Sequence, residues 1–211
     1  MLQQIYNFWG IEPQHITADV FTGYEEHYPQ LDTFTTEVYE KDPLDTIQRV
    51  FDLYRGVGLL PITYYTEAGL RDEIRKFALT SGNNVVRGRI GLGNNQGQTI
   101  NRFIFTNMMT AEPKGRGSNS LIDRFRDDKK LQRAIRICFE FREGNRLVYP
   151  TAVRRALELV SGENVQNFKP LNARAVAQHL CPNLWGRVYD YSAGYGGRLL
   201  GITTSNMRYD Y

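Results

Sequence analysis

The chain has 211 residues, of which 41% are hydrophobic and 23% are charged, the usual proportions of a soluble globular protein. No apolar run approaches the roughly 18 residues that a membrane span needs, and the N-terminus lacks the basic and apolar stretches of a secretory signal. We therefore expect a cytoplasmic protein with no membrane partner. Cys138 and Cys181 stand apart, no group of residues has metal-ligand spacing, and we expect no bound metal.

Charge is divided unevenly along the chain. Through Asp52 there are ten acidic residues and two basic ones, whereas from Leu53 onward there are 24 basic and 13 acidic residues. A basic surface strengthens binding to a phosphate backbone, because each neutralised phosphate releases counterions, so DNA is the expected partner. The alternative is that the acidic start folds over the basic remainder and the two charges largely cancel.

The first elements are predicted from aromatic content and from helix caps. Residues 1–41 are rich in aromatic side chains but have little periodicity, which favours an irregular arm with short elements. A helix should then begin with Asp42 as its N-cap and Pro43 at its first helical position. Gly56 and Gly58 should end this helix, since glycine interrupts helical structure.

Strands are expected in the next part of the chain. After a helix at 66–79, residues 83–110 contain Val85-Val86 and Arg102-Phe103-Ile104-Phe105 between turns rich in glycine and asparagine, which predicts a hairpin or small sheet. The glycine-rich run 91–97 is assigned as a hairpin loop rather than a phosphate loop. No Gly-Lys-Ser/Thr follows it, and no strand-to-helix transition is expected around it.

Two basic helices are predicted after residue 120. One should cover 121–141, and the other should follow Pro150 and end at Gly162. With the elements before them they make a mixed α+β accessory region, 42–165, for which DNA contact is expected. The alternative is a pair of ordinary amphipathic helices with snorkelling arginines. The side chains expected to face outward onto a phosphate backbone are Arg124, Arg126, Lys129, Lys130, Arg133, Arg136, Arg154 and Arg155.

The C-terminal part has the order of a cofactor-binding unit. A helix at 172–180 precedes an apolar strand at 187–190, which leads into Gly194-Tyr195-Gly196-Gly197 and a second helix start, and a further strand is expected at 208–211. Open α/β sheets bind ligands in the crevice at the carboxyl ends of their strands, and a glycine-rich turn leaves backbone amides uncovered there. A tight strand-to-helix turn in another nucleotide-binding α/β protein would have the same pattern.

Two motifs in this part resemble those of the S-adenosylmethionine-dependent DNA amino-methyltransferases, which modify the exocyclic nitrogen of adenine or cytosine. The run YDYSAGYGGRLLG is similar to their first motif, Asp-Pro-Phe/Cys-x-Gly-x-Gly, and NFKPLNARAV is similar to the Lys-Pro-Leu motif that precedes it in part of the family. Tyr191 and Ser192 replace the proline and the aromatic residue that are usual there. The resemblance implies an α+β accessory region followed, over 166–211, by the first βα unit of a Rossmann-like α/β methyltransferase domain.

The same resemblance implies which residues would bind S-adenosylmethionine. Asp190 would lie near the amino group of the methionine end, and the glycine turn would wrap around that end. An acid about 20 residues farther along should hold the ribose hydroxyls, and Asp210 has roughly this spacing. The residues implied in cofactor binding are Lys169, Pro170, Asp190, Ser192, Ala193, Gly194, Gly196 and Asp210.

No catalytic residue is assigned. The family's Asp/Asn-Pro-Pro-Tyr/Phe motif, which holds the target amine and stacks on an extruded base, is absent, and His15, His27 and His179 form no catalytic set with other residues. The expected function is that of an N-terminal fragment of a DNA methyltransferase, inactive as this chain. The alternatives are a non-enzymatic nucleic-acid-binding or phage-type structural protein, and a nucleotide-binding enzyme of another chemistry.

Overall fold

Helices account for most of the described part of the chain. The structure is a computed structural model that describes residues 2–9, 20–21, 30–80, 85–86, 89–90, 97–113, 119–141, 147–160, 165, 167–181, 185–191, 194–205 and 208–210. The helices are α1 (Leu2–Trp9), α2 (Thr36–Lys41), α3 (Pro43–Val57), α4 (Glu67–Leu79), α5 (Gln98–Ile104), α6 (Asn107–Thr110), α7 (Leu121–Arg126), α8 (Asp128–Glu140), α9 (Pro150–Val160), α10 (Pro170–Leu180) and α11 (Gly197–Thr203), with a 3₁₀-helical turn at Leu31–Thr33. None of the helices in these ranges is long and apolar enough to cross a membrane.

Strands in the described ranges are two or three residues long and form three separate pairs. Two of the pairs are antiparallel, β1 (Val20–Phe21) with β2 (Tyr64–Tyr65) and β3 (Val85–Val86) with β4 (Arg89–Ile90). The third pair, β5 (Trp185–Arg187) with β6 (Arg208–Asp210), is parallel. Parallel strands need a crossover connection between them, and α11 lies in that connection.

Local capping places the first long helix where the sequence predicts it. The carboxylate of Asp42 accepts a hydrogen bond from the backbone N–H of Asp45 at 3.1 Å, and Pro43 occupies the first turn, where its missing N–H costs nothing. Gly58 follows the last helical residue in the left-handed conformation, with a φ of 72°. The predicted start at Asp42 and the end at Gly58 are confirmed, whereas Gly56 lies inside the helix. The helix predicted at 66–79 is confirmed too, with a threonine side chain as its N-cap.

Residues 2–9, in the arm for which short elements are predicted, form the helix α1. Ile5, Tyr6 and Trp9 lie on one face of this helix and are buried. The Tyr6 hydroxyl donates a hydrogen bond to the backbone carbonyl of Tyr65 at 2.9 Å. The i,i+3 and i,i+4 spacing of the three buried residues makes an apolar face, which packing against the core then stabilises.

The segment predicted as strands divides into a hairpin and a helix. β3 and β4 pair within the first predicted strand region rather than across the loop 91–97, and the predicted strand at 102–105 is wrong, because most of it lies in α5. Ile100 and Phe103 are buried on one face of α5, and this helical spacing outweighs the β propensity of the run Arg-Phe-Ile-Phe. Of the run 91–97, assigned as a hairpin loop, only Gly97 is described, and it precedes α5 with a φ of 80°. A strand-to-helix transition therefore does surround the run.

The long helix predicted at 121–141 is two helices. α7 ends at Arg126, and Asp127 caps α8 by accepting a hydrogen bond from the backbone N–H of Lys130 at 3.1 Å. A short side-chain acceptor competes with helix continuation in this way, which ends one helix and starts the next. α8 packs against α3 and α9, and one cluster of buried hydrophobic side chains extends from α1 to α11. Gly162, the expected end of α9, lies outside the described residues.

A buried guanidinium joins α10 to α4 and α11. Arg174 in α10 is 1% exposed, and its Nη1 donates to the carbonyls of Phe77 at 2.7 Å and Thr80 at 2.9 Å, at the end of α4. Its Nη2 donates to Thr204 Oγ1 at 2.7 Å, just after α11. The guanidinium carbon lies 4.2 Å from the centre of the Phe77 ring. Burial lowers the pKa of Arg174, but most of its donors find acceptors, which offsets the loss of water.

Replacing Arg174 with leucine removes the donor to the carbonyls of Phe77 and Thr80 inside the protein, so we expect Arg174→Leu to lower the free energy of unfolding by about 3 kcal/mol. Arg174→Lys keeps the charge but loses the planar fork of donors, and it should recover only part of this loss. Urea denaturation followed by circular dichroism measures both variants. Unchanged stability of the leucine variant would contradict this role.

Candidate functional site

The glycine turn lies in a connection between two parallel strands. β5, α11 and β6 follow one another, and parallel pairing brings the carboxyl ends of the two strands to the same edge. The strand predicted at 187–190 is displaced toward the N-terminus, so Asp190 follows β5 by three residues instead of ending it. Asp210 is the last residue of β6 and lies opposite Arg187 at this edge. The predicted order of strand, turn, helix and strand is therefore present, with a shorter first strand.

Two asparagine side chains hold the turn. Gly194 and Gly196 have φ values of 61° and 75°, in the region that favours glycine. The carbonyl of Tyr195 between them accepts hydrogen bonds from Nδ2 of Asn101 and Nδ2 of Asn167, both at 3.1 Å. The first asparagine lies in α5 and the second precedes α10. The turn is therefore tied to two parts of the chain that are distant in sequence.

Close packing of α11 explains two of the glycines without any ligand. A Cβ atom on Gly197 would overlap with the backbone carbonyl of Phe168, and one on Gly201 would overlap with that of Pro170. α11 therefore lies directly against the start of α10, at a distance that only glycine permits. The same packing places the predicted pair Lys169-Pro170 next to the turn.

Arg198 is a residue of this site that sequence analysis misses. Its Nε donates to Oδ2 of Asp190 at 2.6 Å, and its guanidinium lies over the ring of Phe168, 5.7 Å from the ring centre. The carboxylate that the resemblance places beside a ligand ammonium thus has a cationic partner within the chain. The Asp190 side chain is 10% exposed, so this ion pair is largely shielded from solvent. A separation of eight residues across a turn gives no sequence signal for such a pair.

The remaining predicted cofactor residues lie around the start of α10 and α11. α10 begins at Pro170, two residues before the predicted start, with Lys169 as its half-buried N-cap residue. A Cβ atom on Gly196 would overlap with the ring of Phe105, so this glycine also has a packing role. Ser192 and Ala193 lie outside the described residues. The structure therefore brings the glycine turn to the start of α10, because Asn167 bonds to Tyr195 and because Arg198, the partner of Asp190, lies over Phe168.

The predicted DNA-contacting residues divide into internal and exposed groups. Arg124 is 2% exposed, and its guanidinium donates to the carbonyls of Asn119 at 2.8 Å and Leu157 at 3.3 Å. Arg154 is largely buried and forms an ion pair with Glu158. The prediction that these two arginines face outward is wrong, because each satisfies acceptors inside the helix packing. The exposed basic residues of this region are Arg126, Lys129, Arg133, Arg136 and Arg155.

α8 carries three exposed basic side chains at helical spacing, which we name the α8 basic row. Lys129, Arg133 and Arg136 lie on one face and have no ion-pair partner in the described part of the chain. With Glu140 at one end, they line an open cleft of about 490 Å³. Lys130 is half-buried and pairs with the aspartate that caps the helix, at 3.6 Å, so it does not belong to the row.

A further internal arginine lies in α5 and also carries no sequence signal. Arg102 Nη2 donates to Gln98 Oε1 at 3.3 Å, but its buried Nε has no hydrogen-bond partner among the residues described. Burial, together with the charge of Arg154, lowers the pKa of Arg102 to about 10, while Glu158 acts in the opposite direction. Arg102 therefore stays protonated at neutral pH. Two internal cations therefore share one acid between α5 and α9.

Comparisons of the chain with protein-family models, with curated proteins and with solved structures give no match. Across the described ranges, no group of three His, Cys, Asp or Glu side chains is placed to hold a metal ion. What the site binds is therefore inferred from the contacts of its residues and from the two sequence motifs.

A methyl group on Gly201 would overlap with the carbonyl of Pro170, so we expect Gly201→Ala to push α11 away from α10 and to lower the free energy of unfolding by about 2–3 kcal/mol. Gly56 is the matched control, since it lies inside α3, is exposed and has no atom within 4 Å of an added methyl group. Gly56→Ala should raise stability by up to about 1 kcal/mol. Thermal unfolding measures both variants, and a change of the same sign in both would contradict the packing role of Gly201.

Proposed function

We propose that this chain provides the cofactor-binding unit of a DNA methyltransferase, which transfers a methyl group from S-adenosylmethionine to an exocyclic nitrogen of adenine or cytosine. The observation that carries the proposal is a contact between the two motifs of the resemblance. Asn167, at the start of the Lys-Pro-Leu segment, donates to the carbonyl of Tyr195 in the glycine turn at 3.1 Å, across 28 residues of sequence. Motifs that share one ligand must meet in this way.

The wider arrangement supports the same function. The parallel order of β5, α11 and β6 is the order of a Rossmann-like unit, in which ligands bind at the carboxyl ends of the strands. A cytoplasmic location is part of the proposal, because Cys138 and Cys181 are both free thiols, as is usual in a reducing compartment.

The residues at the turn fit the methionine end of S-adenosylmethionine, which has an ammonium and a carboxylate group. Asp190 offers a carboxylate to the ammonium, and Lys169 offers positive charge to the carboxylate. Gly194 is exposed, so the backbone on its side of the turn is not covered by a side chain. When bound, the cofactor supplies a methyl group on a cationic sulfur, and these residues hold and orient it. We assign no residue of this chain to act on the target amine.

Asp190 and Arg198 make a matched test, because they are the two partners of one ion pair. Asp190→Asn and Arg198→Gln both break the pair and should change stability alike. Only Asp190→Asn also removes the charge that binds the ammonium, and it should weaken S-adenosylmethionine binding by about 10- to 100-fold. Arg198→Gln should leave the affinity unchanged or raise it, because it releases the carboxylate. Isothermal titration calorimetry on the full chain measures both affinities.

Two results of this titration would contradict the proposal. One is the absence of any heat of binding with the unaltered chain. The other is an equal loss of affinity in the two variants, which would give Asp190 a structural role only. Salt-dependent DNA binding without cofactor binding would favour the alternative of a non-enzymatic nucleic-acid-binding protein.

For the DNA partner, we infer that the α8 basic row contacts phosphates. Its three cations are exposed on one helix face, and the cleft beside them is open. Exposed cations at this spacing can lie along a phosphate backbone, whereas Arg124 and Arg154 are engaged inside the helix packing. The proposed DNA-contacting surface therefore contains fewer basic residues than the sequence predicts.

Removing the α8 basic row should reduce the salt dependence of duplex binding. The slope of log Kobs against log salt should fall by about 2 to 3, since each phosphate contact contributes about 0.9. The matched control removes the same charge from exposed positions of α4. The row variant is Lys129→Gln with Arg133→Gln and Arg136→Gln, and the control is Arg71→Gln with Arg75→Gln and Lys76→Gln. Fluorescence anisotropy across a salt series measures the slopes, and equal slopes in the two variants would show that only net charge matters.

A further inference from the structure

The segment from β5 to the glycine turn presents a row of aromatic rings to solvent. Exposure alternates along residues 185–191: Trp185, Tyr189 and Tyr191 are 67%, 89% and 89% exposed, and Arg187 between them is exposed as well. The intervening residues face the protein and are half-buried. We name the four exposed side chains the aromatic row. Three large rings and one cation are thus exposed to solvent within one short stretch of chain.

The composition of this row differs from that of a sheet face that packs against a protein core. Strands of parallel sheets are normally covered on both faces, and their residues are then mostly Val, Ile and Leu. The aromatic row contains no aliphatic side chain. It offers flat π faces, which stack on other flat π systems, together with a guanidinium. Its chemistry therefore suits a ligand that combines planar rings with negative charge.

Spacing and charge point to the same ligand. Trp185 lies in β5, and Tyr189 and Tyr191 follow two and four residues after the end of this strand, so the three rings lie within a short stretch of chain that successive bases of one strand can follow. Asp190, the acid within this segment, pairs with Arg198 and does not oppose a phosphate on the exposed side. From Leu53 onward the chain has 24 basic and 13 acidic residues, which attracts a polyanion.

We propose that the aromatic row is a stacking platform for unpaired bases of a single-stranded nucleic acid. Bases stack on Trp185, Tyr189 and Tyr191. Stacking tolerates any base, since every base has a π face, so the platform binds without strong sequence preference. This inference does not rest on the proposed function, because it needs neither cofactor nor duplex.

The chain supplies its own optical probe for this binding. It has two tryptophans, and Trp9 is buried, with its Nε1 donating to the carbonyl of Phe103 at 3.3 Å. Trp185 is therefore the tryptophan that a stacked base can quench. We expect oligodeoxythymidylate of about a dozen nucleotides to quench the tryptophan emission of the full chain, and Trp185→Phe to abolish the quenching. An abasic oligomer of the same length carries the phosphates without bases, and it should quench little and bind weakly.

Binding affinity gives the second readout. Tyr189→Ser and Tyr191→Ser should each weaken oligodeoxythymidylate binding by at least about fivefold, with little change in unfolding temperature because both rings are exposed. The matched controls are Leu44→Ser and Leu180→Ser, which remove exposed apolar side chains outside the row and should leave the affinity unchanged. The heat of S-adenosylmethionine binding should be the same in all of these variants, which separates this test from that of the proposed function.

Three outcomes would overturn the platform. The first is equal affinity for the abasic oligomer, which would assign binding to phosphates alone. The second is equal loss in the tyrosine variants and in the controls. The third is concentration-dependent quenching and self-association of the chain without any oligomer, lost in Tyr189→Ser, which would make the row an interface between copies of this chain.

Discussion

Arg174 is a cation inside the protein, and the position of the glycine turn depends on it. A buried guanidinium is tolerated only where acceptors replace water, and Arg174 finds them at Phe77, at Thr80 and at Thr204. These acceptors belong to the end of α4 and to the residue after α11. The arginine therefore sets where α11 lies on the helical body, and with it the turn and the residues around it. Asn101 and Asn167 complete this placement at the other end of α11.

The glycines of the C-terminal motif are required for two different physical reasons. Gly197 and Gly201 let α11 approach the backbone at the start of α10, and this close packing would require glycine with or without a ligand. Gly194 is different, because it is exposed and its positive φ shapes the turn itself. A sequence motif cannot separate these reasons. The structure assigns packing to two glycines and leaves Gly194 as the glycine of the motif most open to a ligand.

Sequence signals that depend on neighbouring residues predict much of this fold. Contacts between residues that lie far apart in the sequence leave no such signal. The N-cap at Asp42 and the glycine stop at Gly58 depend on neighbours within one helical turn, so the sequence shows them directly. The orientation of Arg124 depends partly on the carbonyls of Leu157 and Glu158, more than thirty residues away, whereas helical periodicity alone predicts an outward position. The pair between Asp190 and Arg198 spans eight residues across a turn, where neither helical nor strand periodicity applies. At the site, the sequence indicates the turn and its acid, whereas the partners that hold them come from tertiary structure.

The central claim is that the turn around Gly194 binds the methionine end of S-adenosylmethionine while the asparagine anchors stay in place. The most direct measurement is a titration of the isotopically labelled chain with S-adenosylmethionine, followed by backbone amide chemical shifts. The largest shifts are predicted at Asp190, Gly194 and Gly196, with small ones at Asn101. Saturating cofactor that leaves these amides unshifted, or that shifts chiefly the amides of α8, would contradict the claim.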